Sequence, residues 1–133
     1  MNRKTFIEEN LNHMIEDLGK LVAIPSVLDP EARTPGAPFG SDIARVLETF
    51  LGRAAELGFR THNYDGYAAE VTLGTGRHMV GILGHLDVVS AGEGWKTAPF
   101  TLTNLDGRLG RQGPGHQFSL RDEIYPGERT PPG

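Results

Sequence analysis

The chain contains no cysteine. Disulfides and thiolate metal sites are therefore excluded, and any metal must be held by histidine, aspartate or glutamate. No apolar run approaches the roughly 20 residues needed to cross a bilayer as a helix. The opening residues, Met1-Asn2-Arg3-Lys4-Thr5-Phe6, lack the apolar core of a signal peptide. Positive charge is in deficit. Lys and Arg total 13 against 17 Asp and Glu, for a net charge of −4. Phosphate recognition wants a basic surface, so nucleic acid is a poor partner. These absences predict a cytoplasmic protein with neither nucleic acid nor membrane as partner. At 133 residues there is room for one domain of ordinary size.

What is present falls into two halves of different period. Ile7, Leu11, Met14, Ile15, Leu18, Leu21 and Val22 recur at spacings of three and four, which predicts a helix over 5–23. Pro25 stops it by biasing Ile24 out of the helical region. Residues 29–40 hold three prolines and two glycines and read as a loop. A second amphipathic helix follows, with Ser41 as N-cap, Ile43, Val46, Leu47, Phe50, Leu51, Ala54 and Leu57 on one face, and Gly58 just past its end. Tyr67, Ala69, Val71 and Leu73 then alternate with polar residues, as in a strand with one wet face. Gly74-Thr75-Gly76 reads as a hairpin turn into an almost continuously apolar run, Met79 to Leu83. Such a run predicts a strand buried on both faces. A further strand is expected from Phe100, with a turn at Asp106-Gly107. Residues 110–133 carry five glycines, four prolines and many charges without a sustained period, which predicts a disordered tail.

Gly84-His85-Leu86-Asp87-Val88-Val89 carries the chemistry. His85 follows the expected strand directly, and ligands in open α/β sheets sit just beyond strand carboxyl ends. A neutral imidazole there is a good zinc ligand. In extended backbone, residues i and i+2 point the same way, so the Asp87 carboxylate can lie near the His85 ring. It could accept the N–H of the nitrogen that does not bind metal, fixing the tautomer. On these residues alone the plainer reading is favoured, a satisfied histidine at a strand end with an aspartate capping a turn. His13, His62, His78 and His116 read as solvated histidines. Gly74-Thr75-Gly76 does not open a helix and makes a poor phosphate loop.

The wider string says more. The Gly-His-Leu-Asp-Val-Val segment is followed by Gly92-Glu93-Gly94-Trp95, Pro99-Phe100 and Asp106-Gly107-Arg108-Leu109, and preceded by Ile24-Pro25-Ser26-Val27. Over about residues 11–109 this resembles the clan of two-zinc aminoacylases, carboxypeptidases and dipeptidases. The likeness is greatest to PepV-type dipeptidases, including carnosinase-like Xaa-His dipeptidases. The resemblance implies an α/β fold, the N-terminal part of a two-zinc aminopeptidase-like catalytic domain: two helices, then a partial mixed sheet, then the tail. It implies that His85 is a ligand of one zinc and that Asp87, as a catalytic residue, orients it. It implies metal-assisted hydrolysis of a dipeptide or small peptide, with two zinc ions ~3.5–4 Å apart polarising the carbonyl and activating water. Trp95, Pro99 and Phe100 are expected to pack beneath the site.

The chain also departs from the pattern. After Leu109 the family continues with Gly-Arg-Gly and an Asp-x-Lys-Gly whose aspartate bridges the metals. Here Gly110-Arg111-Gln112-Gly113-Pro114-Gly115-His116 follows, and Asp122 stands in the wrong context. The expectation is a partial metallopeptidase domain over 1–109 and an aberrant tail over 110–133, from a frameshift, a truncation or a rearrangement near residue 109. Such a chain would bind at most one zinc, weakly, and would be inactive alone, poorly soluble and rich in exposed apolar surface. Two alternatives stand beside it: one half of a split enzyme, and a non-enzymatic binding module that uses an exposed sheet edge.

Overall fold

Asn2 opens the first helix by accepting a hydrogen bond from the Lys4 amide on its side-chain oxygen. The computed structural model describes residues 2–105, 108–110, 112–113 and 116–117. Helix α1 spans Arg3–Val22 and ends at Ala23, two residues before Pro25. Helix α2 spans Ser41–Glu56. Strands β1 (Arg60–Tyr64) and β2 (Ala68–Thr72) form an antiparallel hairpin with Tyr64 opposite Ala68. Strands β3 (Thr103–Leu105) and β4 (Arg108–Gly110) form a second hairpin, and β5 (Gln112–Gly113) and β6 (His116–Gln117) a third. The chain divides into two units, Met1–Ser90 and Ala91–Gly133. The α/β class is as expected.

The core of the first unit is small and lies on α2. Val46, Leu51 and Ala54 are buried, and they share a face because they recur at helical spacing. The helix packs on β1, β2 and α1. None of the α1 residues is buried, and Phe6, Leu11 and Met14 are exposed. An ion pair joins α1 to α2, with Arg53 Nε 2.7 Å from Asp17 Oδ2. Lys20 and Glu56 extend it on either side. The hydrogen bond from Arg53, and then that from Lys20, hold the Asp17 carboxyl below its ordinary value, although partial burial opposes them.

Three local expectations need correction. Gly40, not Ser41, is the N-cap of α2, and it makes no side-chain capping bond. Its φ of 103° favours glycine, an added Cβ would press on Asp29 at 3.0 Å, and Ser41 is already the first residue of the helix. The hairpin turn is not Gly74-Thr75-Gly76 but Asp65-Gly66. Both residues have positive φ, 51° and 78°, which aspartate and glycine tolerate. Tyr67 N donates to Tyr64 O, and Asn63 Oδ1 accepts from Gly66 N. Gly66 sits against the 34–40 loop, where an added Cβ would overlap the Gly36 carbonyl and meet Pro38 Cδ at 2.8 Å. The partner strand β1 is too polar to show a strand period, which is why the turn reads one strand too late.

The third correction concerns Met79–Leu83. No strand forms there. Met79, Val80, Ile82 and Leu83 are 85%, 92%, 95% and 101% exposed. A strand buried on both faces needs a neighbour at each edge and a layer on each side. Strand β2 pairs with β1 along one edge, the run does not add to the other, and the described part of the first unit supplies no second sheet layer to cover it. The expected exposed apolar surface is present, concentrated in this run. Elsewhere the expectations match: Gly58 follows the α2 C-cap Leu57 with φ 86°, and the 29–40 segment is a loop. Leu105 pairs with Arg108, while the expected turn residues Asp106 and Gly107 lie outside the described residues. The tail beyond residue 117, Asp122 included, lies outside the described residues.

Candidate functional site

His85 and Asp87 come together, although the hydrogen-bond partner of the ring is the Asp87 backbone carbonyl rather than the carboxylate expected from the spacing. His85 Nδ1 lies 3.0 Å from the Asp87 carbonyl oxygen and 3.4 Å from its carboxylate Oδ1. Both neighbours are oxygens that only accept, so this nitrogen carries the proton. Nε2 is then the nitrogen with the free lone pair, and it has no protein partner among the described residues. A metal-ligating histidine is arranged in this way, with one nitrogen fixed by a carboxylate or carbonyl and the other presented outward. The pair is open to solvent, with side chains 80% and 60% exposed.

The segment is held from behind by the turn after α1. Ser26 Oγ donates to the Leu86 carbonyl at 2.8 Å, and Val88 N donates to the Ser26 carbonyl at 3.0 Å. Val27 and Val88 form a parallel bridge, the only parallel pairing among the described residues. Ser26 is 2% exposed and is the one buried polar residue among those described. The turn itself is tight: Ser26 N donates to Ile24 O at 2.8 Å and Val27 N to Pro25 O at 2.7 Å. Proline fixes φ at about −65°, which prepares such a turn. Composition and spacing do not mark Ser26; only the Ile-Pro-Ser string within the resemblance points to it.

The donor set is incomplete as a metal centre. Among the described residues no three His, Asp or Glu side chains gather in one place. Zinc sites use three protein ligands when catalytic and four when structural. The chemistry of Nε2 fits one ligand position, and the number of donors does not fit a whole site. Among the described side chains, the other histidines supply no second ligand. His13 lies 3.8 Å from Glu16 on exposed α1, and His62 meets the Tyr64 ring edge-on at 4.3 Å on β1. His78 is exposed. In the second unit, Trp95 Nε1 donates to the Ala91 carbonyl at 2.6 Å, giving the indole its partner. No helix among the described residues is long and apolar enough to cross a membrane.

No protein-family model matches the chain. Individual proteins do. It is 34% identical over 113 residues to a Bacillus subtilis protein named Putative dipeptidase YtjP, an alignment covering 85% of this chain and 24% of that one. It is 38% identical over 110 residues to the Beta-Ala-Xaa dipeptidase of Lactobacillus delbrueckii subsp. lactis, covering 82% of this chain and 23% of that one. A Staphylococcus epidermidis protein named Putative dipeptidase is 39% identical over 97 residues, 73% of this chain and 21% of its own. The chain spans about a quarter of the length of the curated relatives it matches. Over most of its own length, then, this chain is similar to part of a dipeptidase.

Proposed function

We propose that the chain is a portion of a metal-dependent dipeptidase of the PepV type, in which His85 holds one zinc ion through Nε2 and Asp87 orients it. The observation that carries this reading is the His85–Asp87 contact, which commits Nδ1 to oxygen acceptors and leaves Nε2 for a metal. The likeness to dipeptidases, including one named for Beta-Ala-Xaa dipeptides, supports peptide-bond hydrolysis as the parent activity and dipeptides as its substrate class. Zinc, when bound, supplies the Lewis acidity that polarises a peptide carbonyl. The residues of this chain do less. His85 offers one lone pair, Asp87 keeps the ring from rotating, and Ser26 holds the segment that bears both. One imidazole and one orienting carboxylate do not complete a catalytic centre, so the chain alone does not hydrolyse peptides.

Zinc titration followed by NMR tests this. The His85 ring signals are expected to shift before those of His13 and His62, and His85→Ala to abolish that first event. Uptake that ignores His85 would remove the ligand assignment. Turnover of a β-alanyl dipeptide by the purified chain with zinc would remove the inactivity.

A further inference from the structure

The pair that offers the lone pair is exposed, and the run leading into it, Met79–Leu83, makes no backbone hydrogen bond to the rest of the described chain. Something must hold the His85–Asp87 contact in one arrangement. The fixed points lie at Leu86 and Val88, and both are held by one residue. Ser26 gives its hydroxyl proton to the Leu86 carbonyl and takes the Val88 amide on its own carbonyl. Asp87 sits between these two anchors, with its carbonyl free to meet His85 Nδ1 instead. The backbone bond at Val88 survives any side chain at position 26. The bond at Leu86 depends on the hydroxyl.

We propose that Ser26 is a positioning residue, whose buried hydroxyl sets the peptide between Leu86 and Asp87 so that His85 keeps its proton on Nδ1 and its lone pair on Nε2. The proposal rests on the reading of His85 as a metal ligand only for its purpose. The geometry it describes exists without metal. A hydroxyl at a 2%-exposed position is costly to bury without a partner, and its partner is the residue between the two that matter. Removing it leaves the half-buried Leu86 carbonyl without its donor and lets the peptide rock about the Val88 anchor. The imidazole, 80% exposed, then exchanges between tautomers in water.

The test uses the full chain without metal, at a pH where the ring is neutral. Long-range proton–nitrogen NMR spectra report the tautomer of His85 directly. The native chain is expected to show Nδ1 protonated. Ser26→Ala is expected to move the tautomer ratio by about fivefold toward the other form, the equivalent of one net hydrogen bond. Ser26→Thr keeps a hydroxyl and is expected to restore the native ratio. Unchanged amide signals from α2 and the β1–β2 hairpin mark a chain that is still folded. A folded Ala variant with the native ratio overturns the proposal, as does a native chain that shows a mixture. If the Ala variant does not fold, Ser26→Cys, similar in size with a weak donor, replaces it under the same criteria. The zinc titration separates the two ideas: a ratio that follows the hydroxyl while zinc ignores His85 upholds the positioning and removes the metal reading.

Discussion

The apolar face of helix α2 and the run Met79–Leu83 belong to the same unit, yet they meet opposite fates. On α2, Val46 is 1% exposed. In the run, Val80 is 92% exposed. Hydrophobicity does not separate them; the position of their partners in the chain does. Helix α2 meets the hairpin that follows it within a few residues, and an ion pair ties it to α1. The 79–83 run is followed by the His85 segment and is gripped only beyond it, at Leu86 and Val88. A buried strand is a property of a sheet with cover on both faces, and the described first unit provides a single two-stranded hairpin.

The comparison breaks most readily at Gly66, where the hairpin touches the 34–40 loop beneath it. Gly66→Ala places a Cβ at φ 78° and against the Gly36 carbonyl. Left-handed strain and overpacking together predict a loss of roughly 2–5 kcal/mol in urea unfolding. A loss under 1 kcal/mol would mean that the turn does not bear on the loop.

A matched pair of substitutions sharpens the contrast. Val46→Ala is expected to cost about 2 kcal/mol, for two methyl groups taken from a filled site. Val80→Ala removes the same atoms from solvent and is expected to fall within about 0.5 kcal/mol of the parent. Equal costs would show that the run is covered in solution.

The smallest effect is electrostatic. Because the Asp17 pKa is lowered in the folded chain, the ion pair contributes stability above the ordinary carboxylate value of 3.8 and loses it as pH falls through the folded value. Asp17→Asn is expected to flatten the acid limb of a stability–pH curve without changing the neutral region's cooperativity. An unaltered acid limb would assign that limb to other carboxylates.

Much of this was open to reading from residues alone, for a physical reason. Helices α1 and α2 are written in local spacing, and so is the His85–Asp87 contact, which needs only two residues' separation. Strand β1 is not legible because Arg60-Thr61-His62-Asn63-Tyr64 is polar on both faces; its partner and the Asp65-Gly66 turn define it. The 79–83 run reads as a buried strand only if its neighbours are assumed. Ser26 escapes because its partner lies 60 residues away, a distance that no period records.

That distance has a kinetic meaning. Joining two points 60 residues apart in an unfolded chain costs about 3.6 kcal/mol of loop-closure entropy, plus a constant. The two hydrogen bonds at Ser26 return about 0.5–1.5 kcal/mol each. They cannot close the loop unaided, so α2 and its hairpin must first draw the ends together. The Leu86–Val88 stretch is therefore a late arrival in folding and an early departure in unfolding. Hydrogen exchange at the Val88 amide would read that order, opening before the amides of α2. Whatever chemistry His85 performs is available only while the rest of the unit holds the loop shut.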